Sequence, residues 1–176
     1  FGLTMLILAV SWLHVLGTWI AALLIVFMAL FFGLLGLAVT LVSRLPWWPL
    51  AAACCWVLIE YAYSRIPFGG FGWTRIGYAA VDTPLAGFFP IIGVVGVSFI
   101  VALIGQLIAW ALLALWSARQ DGRPRRAHIV IAAALIVSLG LLGSALRLYQ
   151  VEPEVGSAGS VRVGIVQGNI PGRGIE

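Results

Sequence analysis

The first 43 residues contain no Asp, Glu, Lys or Arg, and residues 83–118 contain none either. Uncharged apolar runs of that length exceed what a core helix in water needs. They suit a bilayer, where about 20 apolar residues at about 1.5 Å rise each cross roughly 30 Å of hydrocarbon. Composition points the same way, with 62% hydrophobic and 9% charged residues, and a soluble enzyme of this length is excluded. The chain opens on Phe1 without an initiator Met or a basic leader, so Phe1–Val15 does not read as a signal peptide. The expectation is an excised piece whose first apolar segment is the tail of a truncated span.

Cutting the chain at its polar and Pro/Gly breaks yields five apolar segments: residues 1–15, 18–42, 49–64, 88–116 and 128–148. The third is short and begins at Pro49, a residue that suits a first helical turn. All ten basic residues are Arg. Arg119, Arg123, Arg125 and Arg126 crowd one connection between apolar runs, the pattern of a cytoplasmic membrane loop rather than of a nucleic-acid site. Alternation then puts residues 43–48 in the cytoplasm as well. Residues 11–17, the loop 65–87 and everything after Leu148 are expected outside. Polar residues 149–160, with Pro153, Gly156 and Gly159, read as a linker. In Val161-Arg162-Val163-Gly164-Ile165-Val166-Gln167, Val161, Val163 and Ile165 recur at period two, as in a β-strand opening a water-soluble domain over 161–176.

Glu60 is the most informative single residue, because a carboxylate inside a span is costly and faces a bundle interior, a partner or an aqueous cavity. Helical spacing puts Trp56 and Ser64 on its face, with Arg65 about 140° round the helix. Two readings stand side by side: a polar group that orients substrate near the outer interface, or an ion pair or hydrogen bond closing the helix end. Residues 67–78, Pro-Phe-Gly-Gly-Phe-Gly-Trp-Thr-Arg-Ile-Gly-Tyr, are too rich in glycine and aromatics for a plain connector. A re-entrant or surface-lying segment fits best, since glycines allow close approach and aromatic rings favour the interface. As a phosphate loop it fails, because Gly70-x-Gly72-x-x-Arg75 lacks the third glycine and follows no strand.

Asp82-Thr83-Pro84 reads as a helix-start turn with Asp82 or Thr83 as the cap. Gly93, Gly96 and Ser98, like Gly140, Gly143 and Ser144, read as small-residue contacts between helices. His14 and His128 lack metal-ligand spacing, so no metal or cofactor is expected. The adjacent Cys54 and Cys55 are embedded in an apolar run with no nearby base and are rejected as nucleophiles.

Three stretches together resemble the apolipoprotein N-acyltransferase family of bacterial membrane enzymes. They are Trp56–Glu60 running into Gly69-Gly70-Phe71-Gly72-Trp73 and Gly77-Tyr78; Asp82–Gly87 with Pro90 and the pairs Gly93-Val94 and Gly96-Val97; and Val161–Pro171. The sequence has Gly72 where family members commonly have Pro, and Tyr63 where they carry an Arg. The resemblance implies a polytopic α-helical membrane protein of about five spans, the first truncated, leading into the first β-strand of an α/β nitrilase-like (αββα) domain. It implies transfer of an acyl chain from a phospholipid to the α-amino group of the N-terminal S-diacylglyceryl-cysteine of lipoproteins, through a thioester on a catalytic Cys. A Glu-Lys-Cys triad performs that chemistry, and it is expected beyond Glu176; this chain has no Lys. Glu60, Gly70, Phe71, Trp73 and Tyr78 are the implied substrate-binding residues. Phospholipid donor, diacylglyceryl-apolipoprotein acceptor and membrane lipid are the implied partners, in the bacterial plasma membrane.

A noncatalytic class stands as the alternative: a transporter module, or a membrane anchor for another nitrilase-superfamily domain. A transporter should carry several intramembrane ionisable groups or repeated, interrupted helices, whereas only Glu60 is clearly intramembrane here. The glycine/aromatic loop favours the acyltransferase over a different anchored domain.

Overall fold

The computed structural model describes residues 1–66, 69–121, 126–149 and 164. Helix α1, Gly2–Val10, continues through a 3-10 turn, Ser11–Leu16, into α2, Thr18–Val42. Helix α3, Trp48–Tyr63, has Pro49 in its first turn, as expected. Three 3-10 turns follow, Gly72–Thr74, Ile76–Ala80 and Pro84–Phe88, before α4, Phe89–Asp121, and α5, Arg126–Leu148. Thr83 is the cap of the last turn: its hydroxyl accepts from Leu85 N at 3.2 Å and donates to Ala80 O at 2.8 Å. Apart from Tyr149 and Gly164, the linker and the strand expected at 161–167 lie outside the described residues.

Among the described residues three helical runs are long and apolar enough to cross a membrane: Thr18–Val42, Pro84–Gln120 and Arg126–Leu148. Helix α3 has 16 residues, about 24 Å at the α-helical rise, which is less than a hydrocarbon core of about 30 Å. The segment Gly2–Val15 is shorter still.

Helix α2 shows how such a chain packs without a water-driven core. Ala21, Met28, Phe32 and Leu35 are buried against Leu6, Val10 and Tyr63. Leu23, Val26, Leu30, Leu34, Leu37 and Leu41 form an exposed stripe at helical spacing on the same helix. Both faces are apolar, so the outward stripe suits lipid. A second cluster joins Ala80, Phe88, Val97 and Ile100 with Leu139 and Leu146, and a third joins Leu107, Trp110 and Ala132 with Trp48. The order of these contacts makes α4 antiparallel to both α3 and α5.

The turn Pro84–Phe88 is bedded on α5 where two glycines meet. A Cβ on Gly87 would lie 2.1 Å from Gly143 O, and one on Gly143 would lie 2.6 Å from Pro84 O. Gly143 is thus a small-residue contact, as read. Gly93 and Gly140 are not, since nothing stands within 4 Å of a Cβ at either. Gly93 instead breaks α4, with φ 63 and ψ −177, a backbone state that L side chains resist. Ser144 bonds back to Gly140 O at 2.9 Å within its own helix.

Candidate functional site

The last turn of α3 is where polar chemistry enters the bundle. Glu60 is 4% exposed, and its Oε1 accepts from Trp56 Nε1 at 3.1 Å and from Ile76 N at 2.7 Å. The first bond follows from the four-residue helical spacing. The second reaches across to the glycine/aromatic loop and satisfies a backbone donor that would otherwise be stranded. One turn on, Tyr63 donates its hydroxyl to Thr74 O at 3.2 Å, and its own carbonyl accepts from Phe71 N at 2.9 Å. Ser64 Oγ accepts from Arg75 Nη2 at 2.7 Å and donates to Tyr61 O at 3.0 Å. From the other side, Gly77 N donates to Ser98 Oγ at 3.0 Å. The loop is therefore held at residues 71, 74, 75, 76 and 77.

Of the structural alternatives for Glu60, the hydrogen bond is the one formed. Arg65 makes no ion pair among the described residues; its guanidinium lies over the Tyr61 ring, 4.6 Å from the centroid.

Two glycines let the loop come this close. Gly70 has φ 72, and a Cβ there would sit 2.1 Å from the Ser64 carbonyl carbon. A Cβ on Gly77 would lie 2.7 Å from Val94 O and 2.9 Å from Ser98 Oγ. Any side chain at either position would displace backbone.

The loop has an inner and an outer surface. Gly70 and Phe71 face inward, lining a cavity of about 230 Å³ with Leu24, Phe27, Met28 and Tyr63. Trp73 is 72% exposed and Tyr78 about half exposed, and the two line an outer cavity of about 330 Å³. Trp73 stacks on Trp12 at 5.5 Å and on Phe71 at 6.1 Å between ring centroids. Of the five residues expected to bind substrate, the structure thus gathers Gly70, Phe71, Trp73 and Tyr78 on one loop, with Glu60 buried and bonded to the loop's backbone. Sequence reasoning did not single out Trp12, Tyr63, Arg75 or Ser98 for the role each has here. Their partners are loop backbone atoms, a distant ring or, for Arg75, the Ser64 hydroxyl, and contacts so far apart in the chain leave no spacing signature; Ser64, on the face of Glu60, was the one available hint.

Comparison with known proteins is decisive at this point. The family model described as the apolipoprotein N-acyltransferase N-terminal domain matches residues 1–107, more than half of the chain. The chain belongs to the apolipoprotein N-acyltransferase family. An apolipoprotein N-acyltransferase of Nitrosomonas europaea is 34% identical over 130 residues, 73% of this chain and 23% of that protein. Its counterpart in Coxiella burnetii is 32% identical over 89% of this chain and 29% of its own length. The one in Shewanella oneidensis is 32% identical over 97% of this chain and 33% of its own length. The chain thus spans no more than a third of these curated relatives. No solved structure matches it. The family match contains Glu60, the whole loop and Ser98, which are the bonded parts of the site.

Cys54 is exposed on α3 and Cys55 partly so, and neither belongs to the loop network. The site offers ring faces, an indole N–H and a phenol around an open cavity at the end of an apolar bundle, with the Arg75 guanidinium bonded to Ser64.

Proposed function

We propose that this chain is the membrane part of an enzyme that transfers an acyl chain from a phospholipid to the α-amino group of the N-terminal S-diacylglyceryl-cysteine of lipoproteins. A nitrilase-like domain beginning near Val161 carries the chemistry. There a cysteine thiolate attacks the donor ester carbonyl, giving a thioester and releasing a lysophospholipid. The lipoprotein amine then attacks the thioester, giving the amide and returning the thiol. In this reading the bundle has five spans, the loop 65–87 and the nitrilase-like domain lie outside the plasma membrane, and the 119–126 connection lies in the cytoplasm.

The observation that carries the reading is the loop itself: pinned through Glu60, Tyr63 and Ser64, it holds Trp73 and Tyr78 around an outer cavity. Both substrates are lipids with apolar tails and polar heads. A rigid aromatic loop at the end of lipid-facing helices is suited to parting the two. Replacing Trp73 by Ala in the full-length enzyme should reduce N-acylation severalfold at unchanged membrane abundance. A lipoprotein gel-shift assay reads this directly, and wild-type acylation by W73A refutes the loop's role.

A further inference from the structure

Ser98 has no exposed surface, although it carries a hydroxyl and belongs to a helical run apolar enough to cross a membrane. A hydroxyl in such a place is costly unless it is bonded. Its Oγ accepts from Gly77 N at 3.0 Å, while Glu60 Oε1, on α3, accepts from Ile76 N at 2.7 Å. Two successive loop amides are thus held by buried side chains of two different helices. Each peptide unit is planar, so holding both N–H groups fixes the backbone between them. Gly77 is buried and seated on α4, where a Cβ would lie 2.7 Å from Val94 O and 2.9 Å from Ser98 Oγ. Glycine has the freest backbone of any residue, and here that freedom is removed from outside.

The next residue is Tyr78, whose N–H donates to Arg75 O at 3.1 Å. Its ring is about half exposed and lines the outer cavity with Trp73. The Tyr78 hydroxyl makes no hydrogen bond among the described residues, so the backbone before it is what directs the ring. We propose that Ser98 is a positioning residue: by holding Gly77 it sets the place of the Tyr78 ring in the outer cavity, and it acts on acyl transfer through Tyr78 without touching substrate. The effect on turnover rests on the acyltransferase reading; the effect on the ring does not.

The test uses the full-length enzyme in lipid nanodiscs and the initial rate of N-acylation of a diacylglyceryl lipopeptide. S98A should be slower by about fivefold, the worth of one ordinary hydrogen bond. S98T, which keeps the hydroxyl, should regain most of the rate. S144A removes a hydroxyl that bonds only within its own helix and should act as wild type. In a Y78A background, adding S98A should change the rate by less than about twofold, because a residue that works through Tyr78 has nothing left to position. A wild-type rate in S98A overturns the proposal. So does the same loss in both backgrounds, which is what general damage to the bundle produces. Independently of turnover, 3-fluorotyrosine placed at position 78 reports the ring by fluorine NMR. Should wild type acylate no lipopeptide, the acyltransferase reading falls and this signal decides. A resonance shifted or broadened in S98A, and unchanged in S98T and S144A, supports the positioning role. A wild-type signal in S98A, or an equal change in S144A, overturns it.

Discussion

At its Trp48 end, α3 is held by rings and methyl groups; at its Glu60 end, by hydrogen bonds. Trp48 packs with Leu107, Trp110 and Ala132, and Trp110 in turn meets Trp47 at 6.2 Å and His128 at 4.5 Å. No side-chain hydrogen bond involves residues 44–50 among the described residues. At the other end Glu60, Tyr63 and Ser64 bond to four separate loop residues, Ile76, Thr74, Phe71 and Arg75. Lipid tails are as apolar as leucine, so ring packing in a bilayer has little reason to choose one arrangement over a neighbouring one. A hydrogen bond to a buried group such as Glu60 has few substitutes, because a partner left unpaired there costs free energy. The polar end is therefore the one whose geometry is specified, and it is the end that carries the candidate site.

The largest effect is expected where the polar end has least room. Gly70→Ala combines a left-handed backbone with a Cβ 2.1 Å from the Ser64 carbonyl carbon, a cost of about 2–4 kcal/mol from strain and overpacking together. The full-length protein should unfold at a clearly lower temperature in detergent and lose N-acylation. Gly36→Ala serves as the control, since nothing stands within 4 Å of its added methyl group. Equal stability of G70A and G36A would remove the claim that the loop is tightly specified.

Next in size is Glu60. Glu60→Leu strands two N–H donors, of Trp56 and Ile76, at about 1–3 kcal/mol each. Glu60→Gln keeps a carbonyl oxygen in nearly the same place and should recover most of that stability. The pair separates the two roles read for this residue. If Glu60 only closes the helix end, E60Q retains acyl transfer as well as stability; if its charge acts on substrate, E60Q is stable but impaired. Thermal unfolding and the lipoprotein gel shift, run on the same samples, read the two outcomes.

The contrast between the ends also explains which parts of the molecule could be read from sequence. Helices α2, α4 and α5 were legible because uncharged runs of their length have few other uses, and α3 because Pro49 marks its start. The bond from Trp56 to Glu60 follows from a four-residue spacing on one helix. The bonds from Glu60 to Ile76, Tyr63 to Thr74 and Ser98 to Gly77 do not, because one partner in each is a backbone atom that every residue carries. Glycine was ambiguous for a related reason. Gly143 and Gly93 look alike in sequence, yet Gly143 admits the carbonyl of Pro84 while Gly93 supplies a positive φ that breaks α4. Missing side chains record that something is allowed, not whether a neighbour or a bend makes use of it.

The smallest effect belongs to the apolar end. His128 lies nearly parallel to Trp110, with an interplanar angle of 19°, and an aromatic pair of this kind is worth about 0.5–1.5 kcal/mol. His128→Ala should lower stability by no more than that and leave N-acylation at the wild-type level. The informative version is a double-mutant cycle with Trp110→Ala, because that variant alone also removes packing with Leu107 and Ala132 that does not concern the pair. A coupling energy within that range, with activity unchanged, fits a helix end where rings fill space and neighbours can shift to compensate. Coupling of several kcal/mol, or loss of acyl transfer in H128A, would mean that the apolar end is as strictly built as the loop, and the distinction between the two ends of α3 would have to be given up.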